Sequence, residues 1–323
     1  MKLLRRRFLH LAACAAALPT LPRIALALDY PTRPVRIIVG LPAGSGPDLD
    51  TRLISGWLQN RLGQSFVIEN RPGAATNVAT AEVVRAAPDG YTLLTCATPN
   101  AINATLFENI NFNFIRDMAP VARIGSDAFV MVVNPSLAAK NIPEFIAYAK
   151  ANPGKLNMAS AGIGSAPHIF GEQFKLMTGV SLVHVPYRGS YISDLLGGQV
   201  QVAFSPINTM IAHIRAGRLR ALAVTTATRQ DVLPGTPTIA EFVPGYEASG
   251  WQGISAPANT PREIIEKLNV SINAGLADPQ IKARFTSLGS TPTPMTSADF
   301  GRFIAKETEK WAMVIKLANI KLE

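Results

Sequence analysis

The chain has 323 residues, 48% of them hydrophobic, with 31 Lys and Arg against 22 Asp and Glu. That length exceeds what one hydrophobic core usually supports, so two lobes are expected. The formal charge of +9 would suit a nucleic-acid partner, but its distribution along the chain removes that reading.

Residues 1–27, MKLLRRRFLHLAACAAALPTLPRIALA, have a basic start, an apolar middle and an Ala25-Leu26-Ala27 end of the A-x-A cleavage type, and are expected to be a signal peptide. Arg5-Arg6-Arg7-Phe8-Leu9 fits the twin-arginine pattern R-R-x-F-L, although three arginines also suit an ordinary basic n-region. Cys14 is read as part of this leader. Lys2, Arg5, Arg6, Arg7 and Arg23 all lie in it with no acid, so the mature charge falls to +4 and no nucleic-acid partner is expected. Cys96 is then the single remaining cysteine and no internal disulfide is possible. No later apolar run reaches the length of a membrane span. The product is expected in the periplasm of a Gram-negative bacterium, as a monomer.

Apolar runs rich in Val and Ile then alternate with helical patterns, the signature of parallel strands joined by crossover helices. Val35–Gly40 reads as a strand, and Leu49, Leu53, Ile54, Trp57, Leu58 and Leu62 place one apolar stripe on a helix from about Asp48 to Gly63. Phe66–Glu69 reads as a strand, Asn77–Ala87 as a helix, and Tyr91–Cys96 as a strand after the Pro88-Asp89-Gly90 turn. A similar unit restarts with a strand at Ala128–Asn134, a helix at Ile142–Ala151, a strand at Leu156–Ala161 and a helix from about Pro167 to Thr178. Strands follow at Leu182–Pro186, Val200–Phe204 and Leu219–Val224, with helices Ser193–Leu196 and Asn208–Ala216 between them. Thr260–Ala277, Pro279–Leu288 and Ser297–Ala318 read as helices.

This pattern predicts an α/β, two-lobed fold: two doubly wound domains joined by a hinge of two crossings. Residues 28–126 plus 250–323 form lobe 1 and residues 127–249 form lobe 2, with the ligand cleft between them, where strand C-termini and helix N-termini of both lobes would meet.

Two turns share a design. PAGSGPD, Pro42 to Asp48, and SAGIGSAPH, Ser160 to His168, each follow a strand, contain two glycines and a hydroxyl residue, and precede a helix. Such turns present free amides to an anion at the positive end of a helix. Gly44, Ser45, Gly46 and Asp48 in the first, and Ser160, Ala161, Gly162, Gly164, Ser165 and His168 in the second, are the candidate ligand residues. The same glycines can equally do no more than turn the chain, with Asp48 or Ser165 as helix caps. Arg188, in VPYRGS, is a candidate partner for a substrate carboxylate, or a plain surface arginine.

Other chemistries lack their spacing. Gly44-Ser45-Gly46-Pro47-Asp48-Leu49 has no third glycine for G-x-G-x-x-G, and no GxxxxGK[ST] occurs, so no nucleotide cofactor is expected. No serine sits in G-x-S-x-G, though an exported serine hydrolase using Ser45 or Ser165 with His168, His184 or His213 can be assembled on paper. Those histidines show no H-x-x-x-H spacing, so no metal is expected. Tyr187, Phe204 and Trp251 read as core or hinge packing.

The order and spacing of YPTRPVRIIV (Tyr30–Val39), VIENRPGA (Val67–Ala74), APDGYTLL (Ala87–Leu94), AIN (Ala101–Asn103), VPYRGS (Val185–Ser190), DLLGGQV (Asp194–Val200), IRAGRLRALAVT (Ile214–Thr225) and PGYEASGW (Pro244–Trp251) resemble the extracytoplasmic solute receptors of tripartite tricarboxylate transporters, the Bug family. The resemblance covers nearly the whole mature chain. It implies a type II-like periplasmic binding fold, no catalysis, and a small mono- or dicarboxylic acid, aromatic ones included, gripped by the two turns and delivered to membrane transporter subunits by hinge closure. Three departures stand out. Ser45 and Pro47 replace a glycine and a threonine common in relatives, only Tyr191-Ile192-Ser193 separates VPYRGS from DLLGG, and Ser205 stands where many relatives have Asp. An Asp there would suit a substrate ammonium, so Ser205 points toward a plain carboxylate.

Overall fold

The computed structural model describes residues 29–107 and 109–322, so the leader expectations lie outside the described residues. The first sheet begins as expected: β1 (Val35–Val39) pairs in parallel with β2 (Phe66–Asn70) and β3 (Thr92–Ala97), its apolar residues buried beneath α1 (Gly46–Leu62) and α2 (Asn77–Val84). α1 stops at Gly63, whose φ of 72° permits its N–H to cap Gln59 O.

After β3 the chain departs from the all-parallel reading. Short helices α3 (Thr98–Leu106) and α4 (Phe114–Asp117) lead to β4 (Met118–Asp127), a ten-residue strand antiparallel to β10 (Gly250–Pro257). The first sheet therefore runs β11-β4-β10-β3-β1-β2 and is mixed, closed at one edge by β11 (Ser290–Pro292). Neither β4 nor β10 reads as a strand in sequence, because MAPVARIGSD and GWQGISAP break the apolar run with proline, glycine and polar residues. Tertiary packing supplies the reason: a side chain at Gly253 would collide with the Phe300 ring and lie 2.7 Å from Ala122 O, so glycine lets the C-terminal helix approach the central strand.

The second sheet runs β7-β6-β8-β5-β9. It comprises β5 (Phe129–Val133), β6 (Asn157–Ser160), β7 (Val183–Pro186), β8 (Val202–Pro206) and β9 (Arg220–Val224), with β5 antiparallel to both β8 and β9. Helices α5 (Ile142–Ala151), α6 (Ala166–Thr178), α7 (Ile192–Leu196) and α8 (Ile207–Arg215) connect these strands. The two sheets are joined where β4 passes into β5 at Asp127 to Phe129 and where β10 begins at Gly250, which is paired with Asp127.

The C-terminal helices α9 (Arg262–Ala277), α10 (Pro279–Ser287) and α11 (Ser297–Leu317) follow β10. α11 packs on both halves: Phe300 and Phe303 meet Trp251 edge-on at 5.9 and 5.5 Å, and Trp311 stacks on Phe170 of α6 at 5.2 Å. One continuous apolar core therefore reaches from β1 to α6.

Candidate functional site

The two turns singled out in sequence are one structure formed twice. Gly44-Ser45-Gly46-Pro47-Asp48-Leu49 and Gly164-Ser165-Ala166-Pro167-His168-Ile169 match position by position. Gly44 and Gly164 have φ of 82° and 77°. Ser45 and Ser165 cap their helices at φ/ψ of −67°/157° and −66°/155°. The Ser45 N–H donates to Pro42 O and the Ser165 N–H to Gly162 O, both at 3.2 Å. In the first turn the Gly44 N–H donates to Asp48 Oδ2 at 2.8 Å; in the second the Gly164 N–H donates to His168 Nδ1 at 3.0 Å. Asp48 and His168 thus clasp their own turns from inside the helix. With proline at the second helical position, the free first-turn N–H groups are those of Gly46 and Asp48 in one turn and Ala166 and His168 in the other.

Both turns open on a cleft of about 530 Å³ between the sheets. The first sheet contributes the Gly44–Pro47 turn and the start of α3 at Thr98 and Pro99; the second contributes Ala161, the Ala166–Pro167 start of α6, the Ser190–Ile192 loop and the start of α8. Asp127, Phe129, Gly250 and Trp251, at the two crossings, form the wall between them. Four helices of nine residues or more, α1, α3, α6 and α8, therefore begin at this cleft, each with its positive end and unbonded amides there. Among the described residues no Lys, Arg or His lines it. The Ser45 hydroxyl is buried and has no hydrogen-bond partner among the described residues. Such a surface favours an anionic group held by amides and hydroxyls, with Leu41, Phe129, Ile192 and Met210 against an apolar body.

The chain was compared with known proteins. Residues 51–320 match the model of the tripartite tricarboxylate transporter family receptor. Protein BugT of Bordetella pertussis is 36% identical over 299 residues, covering 91% of this chain and 92% of that one. Among solved structures, R. palustris Rpa4515 with adipate is similar at a TM-score of 0.80 and 34% identity, covering 90% of this chain and 99% of that one. MatC from Rhodopseudomonas palustris with bound malate is similar at a TM-score of 0.76 and 28% identity, covering 88% and 100%. The chain belongs to the tripartite tricarboxylate transporter receptor family. Its fold is the two-lobed α/β fold of these solute-binding receptors.

Within this receptor the candidate residues separate into two groups. Gly44, Ser45, Gly46 and Ala161 line the cleft. The others stand behind it. Asp48 is fully buried, and its carboxylate accepts from Gly44, Arg52 and Asn70; these bonds outweigh burial and hold it below the usual carboxylate range. Ser160 is fully buried, its hydroxyl 2.6 Å from His184 Nε2. Gly162 accepts from Ser160 and, at 2.7 Å, from the Ser165 hydroxyl. Gly164 is pressed against Leu106 of α3 so closely that a Cβ there would collide with it. His168 stacks on His184 at 3.6 Å, with Glu172 Oε1 3.5 Å from its Nε2. Burial, with His168 stacked beside it, pushes His184 down to about 4.

Arg188 is a correction: it lies exposed after the edge strand β7 and does not line the cleft, which the following residues Ser190 to Ile192 reach instead. Ser205 is another: fully buried, its hydroxyl is 2.6 Å from the Tyr191 hydroxyl, so it positions a residue of the cleft wall without facing the cleft itself. The hydrolase pairing also finds no support in the geometry, since the Ser45 hydroxyl has no partner among the described residues and the Ser165 hydroxyl donates to a backbone carbonyl. Asp127 went unnoticed in sequence. It belongs to no motif, and only the crossing from β4 to β5 brings it to the cleft.

Proposed function

We propose that this chain is the periplasmic solute-binding component of a tripartite tricarboxylate-type transporter, and that it holds a small carboxylic acid in the cleft described above without catalysis. The observation that carries this reading is the convergence of four helix N-termini on a cleft that, among the described residues, has no basic side chain. A carboxylate can be held there by amides and hydroxyls, which fix its geometry without a bound counter-ion. The adipate and malate bound by the two relatives are dicarboxylates, in keeping with a ligand of this class. Gly44 to Gly46, Ala161 and Ala166 form the grip, while Asp48, Ser160, Ser165 and His168 hold the grip in shape.

The lobes are residues 28–126 with 250–323, and residues 127–249, hinged at the two crossings. A ligand touching both lobes favours the closed state by its greater affinity for it, and membrane subunits of the transporter read that state. The test is calorimetry and thermal shift on refolded, ligand-free protein against mono-, di- and aromatic carboxylic acids. A rise in Tm that saturates with one acid, without turnover of ester substrates, is the expected result. Ester hydrolysis with no stabilisation by any acid would overturn the proposal.

A further inference from the structure

Among the described residues, the one charged side chain lining the cleft is an acid. Asp127 occupies the last position of β4, paired with Gly250 of β10 and Ser290 of β11. Its carboxylate lies between two glycines: a Cβ at Gly46 would stand 3.6 Å from Asp127 Oδ2, and one at Gly250 3.4 Å. Glycine on both sides lets Asp127 line the cleft beside the first turn, with Gln252 and Ser290 at its back. The groups facing Asp127 from behind offer no positive charge. They are Asp50 of α1, Gln252 of β10 and Ser290 of β11, and the Gln252 amide donates to Asp50 and Ser290.

A carboxylate held at the first turn therefore has a protein carboxylate for a neighbour, and among the described residues no lysine, arginine or histidine in the lining compensates. Like charges in a partly dry cleft repel, so a ligand made only of carboxylates and hydrocarbon leaves Asp127 desolvated and opposed. A hydroxyl or ammonium on the ligand turns the same position into a charge-assisted hydrogen bond. Burial, only partly opposed by Gln252 and Ser290, raises the Asp127 carboxyl to about 6. It still acts chiefly as an acceptor at neutral pH.

We propose that Asp127 is the specificity-determining residue of the cleft, accepting a hydrogen bond from a hydroxyl or ammonium group of the ligand, so that substituted acids are preferred to their plain analogues. The proposal rests on the carboxylate reading above and reverses the expectation drawn from Ser205: the acid missing from β8 is supplied from β4.

The experiment is calorimetry on refolded protein with acids matched in skeleton: succinate, malate and aspartate; glutarate, 2-hydroxyglutarate and glutamate; phenylacetate, mandelate and phenylglycine. In at least one series the wild type should bind a substituted member about tenfold or more tightly than the plain one, the scale of one hydrogen bond to a charged group. Asp127→Ala should bring the members within about twofold, chiefly by weakening the substituted acid. Asp127→Asn keeps an acceptor oxygen and should retain the hydroxyl preference while losing the ammonium preference. If Asp127→Ala does not fold, the ammonium series in Asp127→Asn decides. Plain acids bound as tightly as substituted ones, or a ratio unchanged by both substitutions, would overturn the assignment of Asp127 and leave the carboxylate reading standing. No binding by any acid would overturn both.

Discussion

Asp48 clasps the first turn, and replacing it should act on the fold before it acts on the ligand. Asp48 is fully buried, with Gly44 N at 2.8 Å, Asn70 Nδ2 at 2.9 Å and Arg52 Nε at 3.0 Å. In Asp48→Ala the Arg52 guanidinium, about half exposed, turns to water at little cost, and Asn70 keeps its bond to Leu41 O. The Gly44 N–H and one hydrogen of Asn70, both only partly buried, are left without a protein acceptor, at about 1–2 kcal/mol each. A loss of about 2–4 kcal/mol follows, or roughly 3–7 °C in Tm for a chain of this size. Asp48→Asn, keeping one acceptor oxygen, should lose about half as much. Because the folded carboxyl is held below its usual value, the stabilisation is fully present above about pH 4 and is lost progressively as pH falls from there through the lower folded value, so the gap between wild type and variant should narrow on acidification. Differential scanning calorimetry at pH 7 and pH 3.5 measures both effects. An Asp48→Ala protein with wild-type Tm but lost ligand affinity would refute this reasoning, because the carboxylate would then serve the ligand and not the turn.

Two further outcomes follow from buried contacts. Gly164→Ala should destabilise by about 2–3 kcal/mol, since it places a side chain at positive φ and drives a methyl into Leu106. In the Gly164→Ala/Leu106→Ala double mutant the cost should be less than the sum of the single changes, and strict additivity in urea melts would show that the two residues do not touch. Asp50, raised to about 7 by burial, with Ser290 and Gln252 opposing and the Asp127 charge adding, binds its proton more tightly folded than unfolded. Its contribution is fully present below about pH 4 and is lost as pH rises towards 7. Asp50→Asn should therefore flatten the fall in stability between pH 5 and pH 8, and an equal fall in variant and wild type would count against it.

Much of this was legible because local pattern and tertiary role agree where a strand feeds a helix. Val35 to Leu62 shows this, with its apolar strand, its glycine turn and its helix ended by Gly63. Strands β4 and β10 were hidden because their side chains answer to partners distant in sequence: Gly253 to Phe300, Gln252 to Asp50 and Ser290. The two turns were legible as a pair, and their matching Gly-Ser-x-Pro hexapeptides carried the full equivalence. Which polar residues face outward was not legible. Asp48 and His168 sit three residues beyond the serine caps, a position from which a side chain can reach back to its own loop, and sequence does not distinguish that from reaching a ligand. Asp127 carries no local signal, since its exposure to the cleft is a property of the crossing.

Helix α11 gives the molecule a third link between its halves, beside the two chain crossings. Trp251 at the start of β10 lies against Phe300 and Phe303, Lys310 donates to Glu247 O at 2.7 Å just before that strand, and Trp311 stacks on Phe170 across the divide. In the hinge closure proposed above, a swing that keeps this aromatic column in contact, as a door keeps to its jamb, has its greatest travel at the edge of the cleft farthest from α11. On that proposal a transporter subunit has most to measure at the far edge, and little along the spine.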